Sequence, residues 1–171
     1  MIAVCFHGVE STGKSLLAAK LSADLGCAWV PEYGREYCEA HGTDLTMADL
    51  LAIAEGQARA VESAAAKRPA LLILDTDQLM TAAWAQMLFG DVPPVLMAYP
   101  KADHYLHFAA DVPWIDDGTR FFGTAGERAR FDTIARAVLV DAGITALEIA
   151  GDWAEREAGV RQALAEFRAK A

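Results

Sequence analysis

The residues Gly8-Val9-Glu10-Ser11-Thr12-Gly13-Lys14-Ser15 satisfy every fixed position of the phosphate-binding pattern G-x-x-x-x-G-K-[ST]. The chemistry of such a loop is specific. Glycine lets the backbone close around a phosphate, and successive N–H groups form an anion nest. A helix starting at the loop adds partial positive charge. Gly8, Ser11, Thr12, Gly13, Lys14 and Ser15 are therefore expected to bind ATP, with Lys14 reaching the β- and γ-phosphates and Ser15 holding Mg²⁺. The alternative is a chance match in an ordinary turn. The apolar run Ile2-Ala3-Val4-Cys5-Phe6 before the loop and the helix-forming Leu16–Leu21 after it argue against that, because strand, glycine loop and helix is the order the chemistry needs.

Carboxylates at other strand ends supply the remaining parts. Leu71–Leu74 followed by Asp75-Thr76-Asp77 reads as a buried strand ending in a Walker-B aspartate, so Asp75 is expected on Mg²⁺. If the chain stays extended, Asp77 points the same way, toward substrate; the alternative is a cap on the next helix. Val30 is followed by Pro31-Glu32-Tyr33-Gly34-Arg35. Glu32 there can orient a substrate hydroxyl and accept its proton, while Arg35 binds a substrate anion or pairs with Glu32. An exposed salt bridge is the bland alternative. Arg120, Arg128 and Arg130 follow a glycine-flanked stretch, the composition of a closing lid, and Arg120 and Arg128 are expected to neutralise charge on the transferring phosphoryl group. Trp84 and Trp114 are candidates for stacking on a base. Trp114 is the stronger of the two, because it lies in an Asp-rich polar stretch.

These positions need a scaffold. Strands are expected at Ile2–Phe6, Ala28–Val30, Leu71–Leu74, Tyr105–Phe108 and Ile144–Ile149. Helices are expected at Lys14–Leu25, Thr46–Lys67, Gln78–Phe89, Glu127–Asp141 and Asp152–Ala169, with Thr46 as an N-cap and Pro69 and Gly143 as stops. Such alternation predicts a three-layer α/β fold of the P-loop NTPase class, a parallel five-stranded sheet flanked by helices, with one domain over residues 1–171 and a lid at about 116–130. Ligands of such sheets bind outside the carboxyl ends of the strands, which is where the residues above fall.

Composition narrows the partners. The 171 residues are 54% hydrophobic and 23% charged, the balance of a folded domain. A net charge of −9 disfavours nucleic acid as a partner, since phosphate backbones are held by Lys and Arg. Three cysteines without C-x-x-C spacing fit a reducing, cytoplasmic setting, and no apolar run reaches membrane-spanning length. The four histidines lack metal-site spacing and read as structural. Oligomeric state is left open, a homo-oligomer included.

Taken together, Gly8–Ser15, Pro31-Glu32-Tyr33-Gly34-Arg35, Asp75-Thr76-Asp77 with Trp84, Asp111-Val112-Pro113-Trp114 with Asp117-Gly118-Thr119-Arg120, and Gly151-Asp152-Trp153 with Arg156 resemble the bacterial ribosylnicotinamide (nicotinamide riboside) kinase domain. The resemblance runs from the first strand to the last helix. It implies an ATP- and Mg²⁺-dependent kinase of nucleoside- and nucleotide-kinase type with a small-molecule nucleoside substrate. It places Glu32 and Asp75 at the reacting centre. Tyr33, Arg35, Asp77, Trp84, Trp114 and Asp117 fall on the nucleoside side, Arg156 on the ATP side, and Arg120 and Arg128 in the lid. That domain is best known fused to an adenylyltransferase, for which no counterpart is expected here. Met80 stands where the family more often has Thr, a difference that touches substrate selectivity.

Two other classes fit the phosphate loop: an ATPase or switch acting on a partner protein, and a nucleotide sensor without turnover. A guanine-specific N-K-x-D motif is impossible, because the chain contains no Asn. The acidic strand ends and the arginine-bearing lid favour the kinase.

Overall fold

The structure, a computed structural model, describes residues 1–115, 121 and 123–170. Five parallel strands, β1 (Ile2–His7), β2 (Ala28–Val30), β3 (Leu71–Asp75), β4 (His104–Phe108) and β5 (Leu147–Ile149), form one sheet in the order β2-β3-β1-β4-β5. All strands run the same way, so their carboxyl ends share one edge. The chain crosses from β1 to β2, returns to β3, then passes to the far side of β1 for β4, so the strand order reverses at β1. The crevice above β1 and β3 is thus where an open sheet takes its ligand.

Seven helices cover the sheet among the described residues: α1 (Lys14–Leu25), α2 (Tyr33–His41), α3 (Met47–Ala65), α4 (Gln78–Phe89), α5 (Pro94–Ala98), α6 (Ala125–Asp141) and α7 (Trp153–Ala169). Alternating side chains of each strand feed two cores. Cys5, Leu72, Leu74 and Tyr105 pack under α3, α4 and α6; Val4, Phe6, Ile73, Leu106 and Phe108 pack under α1 and α7. The helices start on side-chain caps where the sequence supplies them. Thr46 with Asp49, Thr124 with Glu127 and Asp152 with Glu155 each form a reciprocal capping box. No helix among the described residues is long and apolar enough to cross a membrane.

Three elements depart from the sequence expectation. Tyr33–His41 and Pro94–Ala98, where no helix was expected, are helical; both are short, and neither has more than one fully buried residue. The last strand is shorter than expected, because Ile144–Ala146 lead into it without pairing.

Candidate active site

The strand ends assemble one site around the phosphate loop. Gly8 has φ +121, and a Cβ there would lie 2.5 Å from the carbonyl oxygen of Phe108, so only glycine lets β1 turn into the loop against β4. Lys14 is nearly buried, its ammonium donating to the Val9 carbonyl at 2.6 Å and to Thr12 Oγ1 at 3.4 Å. Burial lowers its pKa, which the carboxylates of Asp75, Glu32 and Glu10 oppose. A cavity of about 360 Å³ opens over Gly8, Gly13, Lys14 and Ser15, large enough for a polyphosphate.

Asp75 ends β3, paired in register with Phe6 and 1% exposed. Burial raises its pKa, while Lys14, the hydroxyl of Ser15, Arg35 and the backbone N–H of Glu32 pull it back. Its Oδ1 is buried without a hydrogen-bond partner among the described residues. A Ser hydroxyl beside a carboxylate that keeps one oxygen uncommitted suits a hard cation such as Mg²⁺, which takes oxygen ligands and completes its shell with water and phosphate. Ser15 and Asp75 thus fit the metal expected of them.

Glu32 follows β2 at the N-cap position of α2, and its side chain makes no capping bond. With Glu10, Arg35 and Met80 it belongs to the walls of two cavities, the one over the loop and a neighbouring one lined by Ile53, Gln57, Asp77, Thr81, Trp84 and Phe121. Its carboxyl is raised to about 7, first by removal from water and then by the charge of Asp75.

Several expected residues sit differently from the reading above. Thr76 has φ +76, a strained value for a β-branched residue, so the chain is not extended through Asp75-Thr76-Asp77. Asp77 consequently diverges from Asp75. One carboxylate oxygen caps α4 through the N–H of Leu79, at 2.9 Å, and the other accepts from the Tyr105 hydroxyl. It lines the second cavity with both oxygens engaged. Tyr33 turns its ring onto Gly56 of α3, where a Cβ would collide with it, and lines neither cavity. Trp84 does line the second cavity, edge-on to Phe121 at 5.0 Å and tilted against Phe131 at 4.8 Å. Trp114 does not. It packs over Gly123 and, with Arg128, lines a third cavity. Arg128 therefore lies in neither wall around the loop.

Arg156 is 2% exposed. Its guanidinium donates to the carbonyls of Gly151 (2.8 Å), Ala109 (3.0 Å) and Thr12 (3.2 Å) and pairs with Asp111. It ties the phosphate loop, through Thr12, to the ends of β4 and β5. Asp117 and Arg120 lie outside the described residues, as does part of the expected lid.

Three features escaped sequence reasoning. Glu10 lines both cavities and accepts the N–H of Phe121 at 3.1 Å. Ser11 exchanges hydrogen bonds with Ile115, its hydroxyl to the carbonyl at 3.0 Å and the amide back to the hydroxyl at 3.1 Å. The exposed ring of Trp153 lies against Gly13. Positions this distant in sequence carry no shared pattern, and only the sheet order brings them together.

Comparison with known proteins agrees with this fold. Residues 3–156 match the family model described as an AAA domain. Over 138 residues, 77% of this chain, the sequence is 30% identical to the trifunctional NAD biosynthesis/regulator protein NadR of Escherichia coli (strain K12), and the match spans about a third (34%) of that protein's length. The fold superposes on a crystal structure of NadR protein in complex with NR with a TM-score of 0.83 at 24% identity, covering 98% of this chain and 52% of the other. A deoxyadenosine kinase from M. mycoides shares the fold at TM-score 0.69 and 13% identity, over 96% of this chain and all of that one (100%).

Proposed function

We propose that this chain, which belongs to the AAA domain family, transfers the terminal phosphoryl group of ATP to the 5′-hydroxyl of a nucleoside, with nicotinamide riboside as the acceptor that suits the site best. The observation that carries this reading is the position of Glu32 in the common wall of two cavities, one over the phosphate loop and one beside it. An ATPase needs only the first. A hydroxyl reaching the shared wall from the second cavity meets the phosphate end of the first with a carboxylate beside it.

The steps follow from the chain's own groups. The loop amides and Lys14 hold the phosphates and draw charge from the transferring group. Ser15 and Asp75 would hold Mg²⁺, whose chemistry is neutralisation of charge between the β- and γ-phosphates. Glu32 orients the acceptor hydroxyl and takes its proton late, since phosphoryl transfer has a loose transition state. A carboxyl with a pKa of about 7 is matched to that task near neutral pH.

The choice of acceptor rests on charge. Among the described residues, the second cavity presents the carboxyls of Glu10, Glu32 and Asp77 against one guanidinium, Arg35, and adds the rings of Trp84 and Phe121. Carboxylates and aromatic faces both favour a cation. Nicotinamide riboside carries a permanent pyridinium charge that uridine and thymidine lack. The 30% identity to NadR and the likeness to its complex with NR support the same choice.

The test is ADP release coupled to a nucleoside panel: nicotinamide riboside, its neutral dihydro form, uridine, thymidine and no nucleoside. Release that depends on nucleoside and favours the pyridinium at least tenfold over the dihydro form is expected. Release that ignores nucleoside would refute the kinase.

A further inference from the structure

Beneath the phosphate loop a polar chain that the proposed transfer does not use runs from two buried histidines out to the surface. His7, the last residue of β1, has no exposed surface, and His107, its register partner on β4, is 2% exposed. Their Nδ1 atoms are 3.3 Å apart. His107 Nε2 lies 2.8 Å from Asp132 Oδ1 on α6, and Asp132 Oδ2 accepts from Arg136 Nε at 2.8 Å. Arg136 extends the chain to Glu148 of β5, also at 2.8 Å.

Elementary hydrogen-bond chemistry fixes the protons. Burial works against ionisation of Asp132, but the bonds from His107 and Arg136 hold its carboxyl below the usual range, so it is an ionised acceptor. His107 must then donate through Nε2–H. Burial holds the His7 pKa well below its usual range, so His7 carries one proton; on Nε2, which has no partner among the described residues, that proton would be a stranded donor, so it sits on Nδ1 and is donated to His107 Nδ1. The remaining His7 Nε2 is a bare lone pair, and it is buried without a hydrogen-bond partner among the described residues.

The chain joins two parts of the candidate site. His7 immediately precedes Gly8 of the loop. Asp132 is next to Phe131, which lines the loop cavity and packs on Trp84. We infer that Asp132, acting through His107, is a positioning residue for the transfer: it selects a single tautomer along the His7–His107 pair and thereby locks α6 to the strand that enters the phosphate loop. The inference rests on the kinase reading for its effect on turnover, but not for its protons.

Two measurements test it. In protein labelled with ¹⁵N at histidine, side-chain spectra at pH 8 are expected to show His107 as the Nε2–H tautomer and His7 as the Nδ1–H tautomer. A doubly protonated His107, or a proton on His7 Nε2, overturns the inference. In turnover, Asp132→Ala is expected to lower kcat roughly 10- to 100-fold through misplacement of the site, with KM for ATP within about threefold. Asp132→Asn, which keeps an acceptor for His107, restores most of it. Equal kcat in Asp132→Ala and wild type refutes the positioning role. If no nucleoside supports turnover, the kinase reading fails separately. The histidine tautomers and amide exchange of α6, faster in Asp132→Ala and near wild type in Asp132→Asn, then decide the inference alone.

Discussion

Burial and, after it, the negative charge of Asp75 carry the carboxyl of Glu32 to about 7. The proposed metal ligand at the end of β3 thereby sets the proton affinity of the proposed base that follows β2.

A pH profile follows from that value. The base must be ionised, so kcat/KM is expected to fall as pH drops through about 7, tenfold for each further unit, and to level off above it. Glu32→Gln keeps the size but loses the charge. It should cost roughly 10²-fold in kcat, leave ATP affinity nearly unchanged and abolish the inflection. Stability moves the other way. A folded-state pKa above the ordinary 4.5 favours the protonated fold, so that contribution is present at low pH and lost as pH rises from about 4.5 through about 7. Thermal melts should show Glu32→Gln gaining a few degrees over wild type at pH 8 and little at pH 4. An unchanged kcat with weakened ATP binding would reassign Glu32 to the nucleotide.

Metal dependence is read at Asp75. Chelation of Mg²⁺ should abolish turnover, and Asp75→Asn should raise the Mg²⁺ concentration needed for half-maximal rate by roughly tenfold or more. Wild-type behaviour of Asp75→Asn at low Mg²⁺ would leave Asp75 a purely structural residue. Lys14→Ala should lose roughly 10²- to 10³-fold in kcat while circular dichroism shows the helices intact. Near-normal turnover in that variant would remove the phosphate loop from the chemistry.

The two tryptophans should separate. Trp84 lines the cavity assigned to the nucleoside, so Trp84→Ala should raise nucleoside KM by the equivalent of about 1–3 kcal/mol of stacking, with Trp84→Phe intermediate. Trp114 lines a different cavity, and Trp114→Ala should leave nucleoside KM within about threefold. The reverse ranking in a titration of both variants would return the stacking role to Trp114.

Much of this site was legible because local rules placed it. The loop declares itself by contiguous spacing, Leu71–Leu74 before Asp75 by four buried apolar residues, and Thr46 by its capping chemistry. Local rules could not reach whatever depended on one backbone angle or on strand order. The positive φ of Thr76 sends Asp77 to Tyr105 rather than to the side of Asp75. The His7–His107 contact exists only because β1 and β4 are neighbours, a hundred residues apart in sequence. Trp114 was assigned by the polarity of its surroundings, which says that a ring is accessible but not which cavity it faces.

Arg156 gives the sharpest contrast between sequence and structure. An arginine after the last strand suits a nucleotide contact, and here its guanidinium holds the carbonyls of Thr12, Ala109 and Gly151 and the carboxylate of Asp111. Removing it strands buried acceptors and leaves a cavity between α7 and the loop. Arg156→Ala is expected to destabilise the fold by roughly 3 kcal/mol or more, lowering the melting temperature with or without ATP. Arg156→Lys should recover little, because one ammonium cannot match a planar fork with several acceptors. An Arg156→Ala protein that melts like wild type but binds ATP at least tenfold more weakly would restore the direct contact.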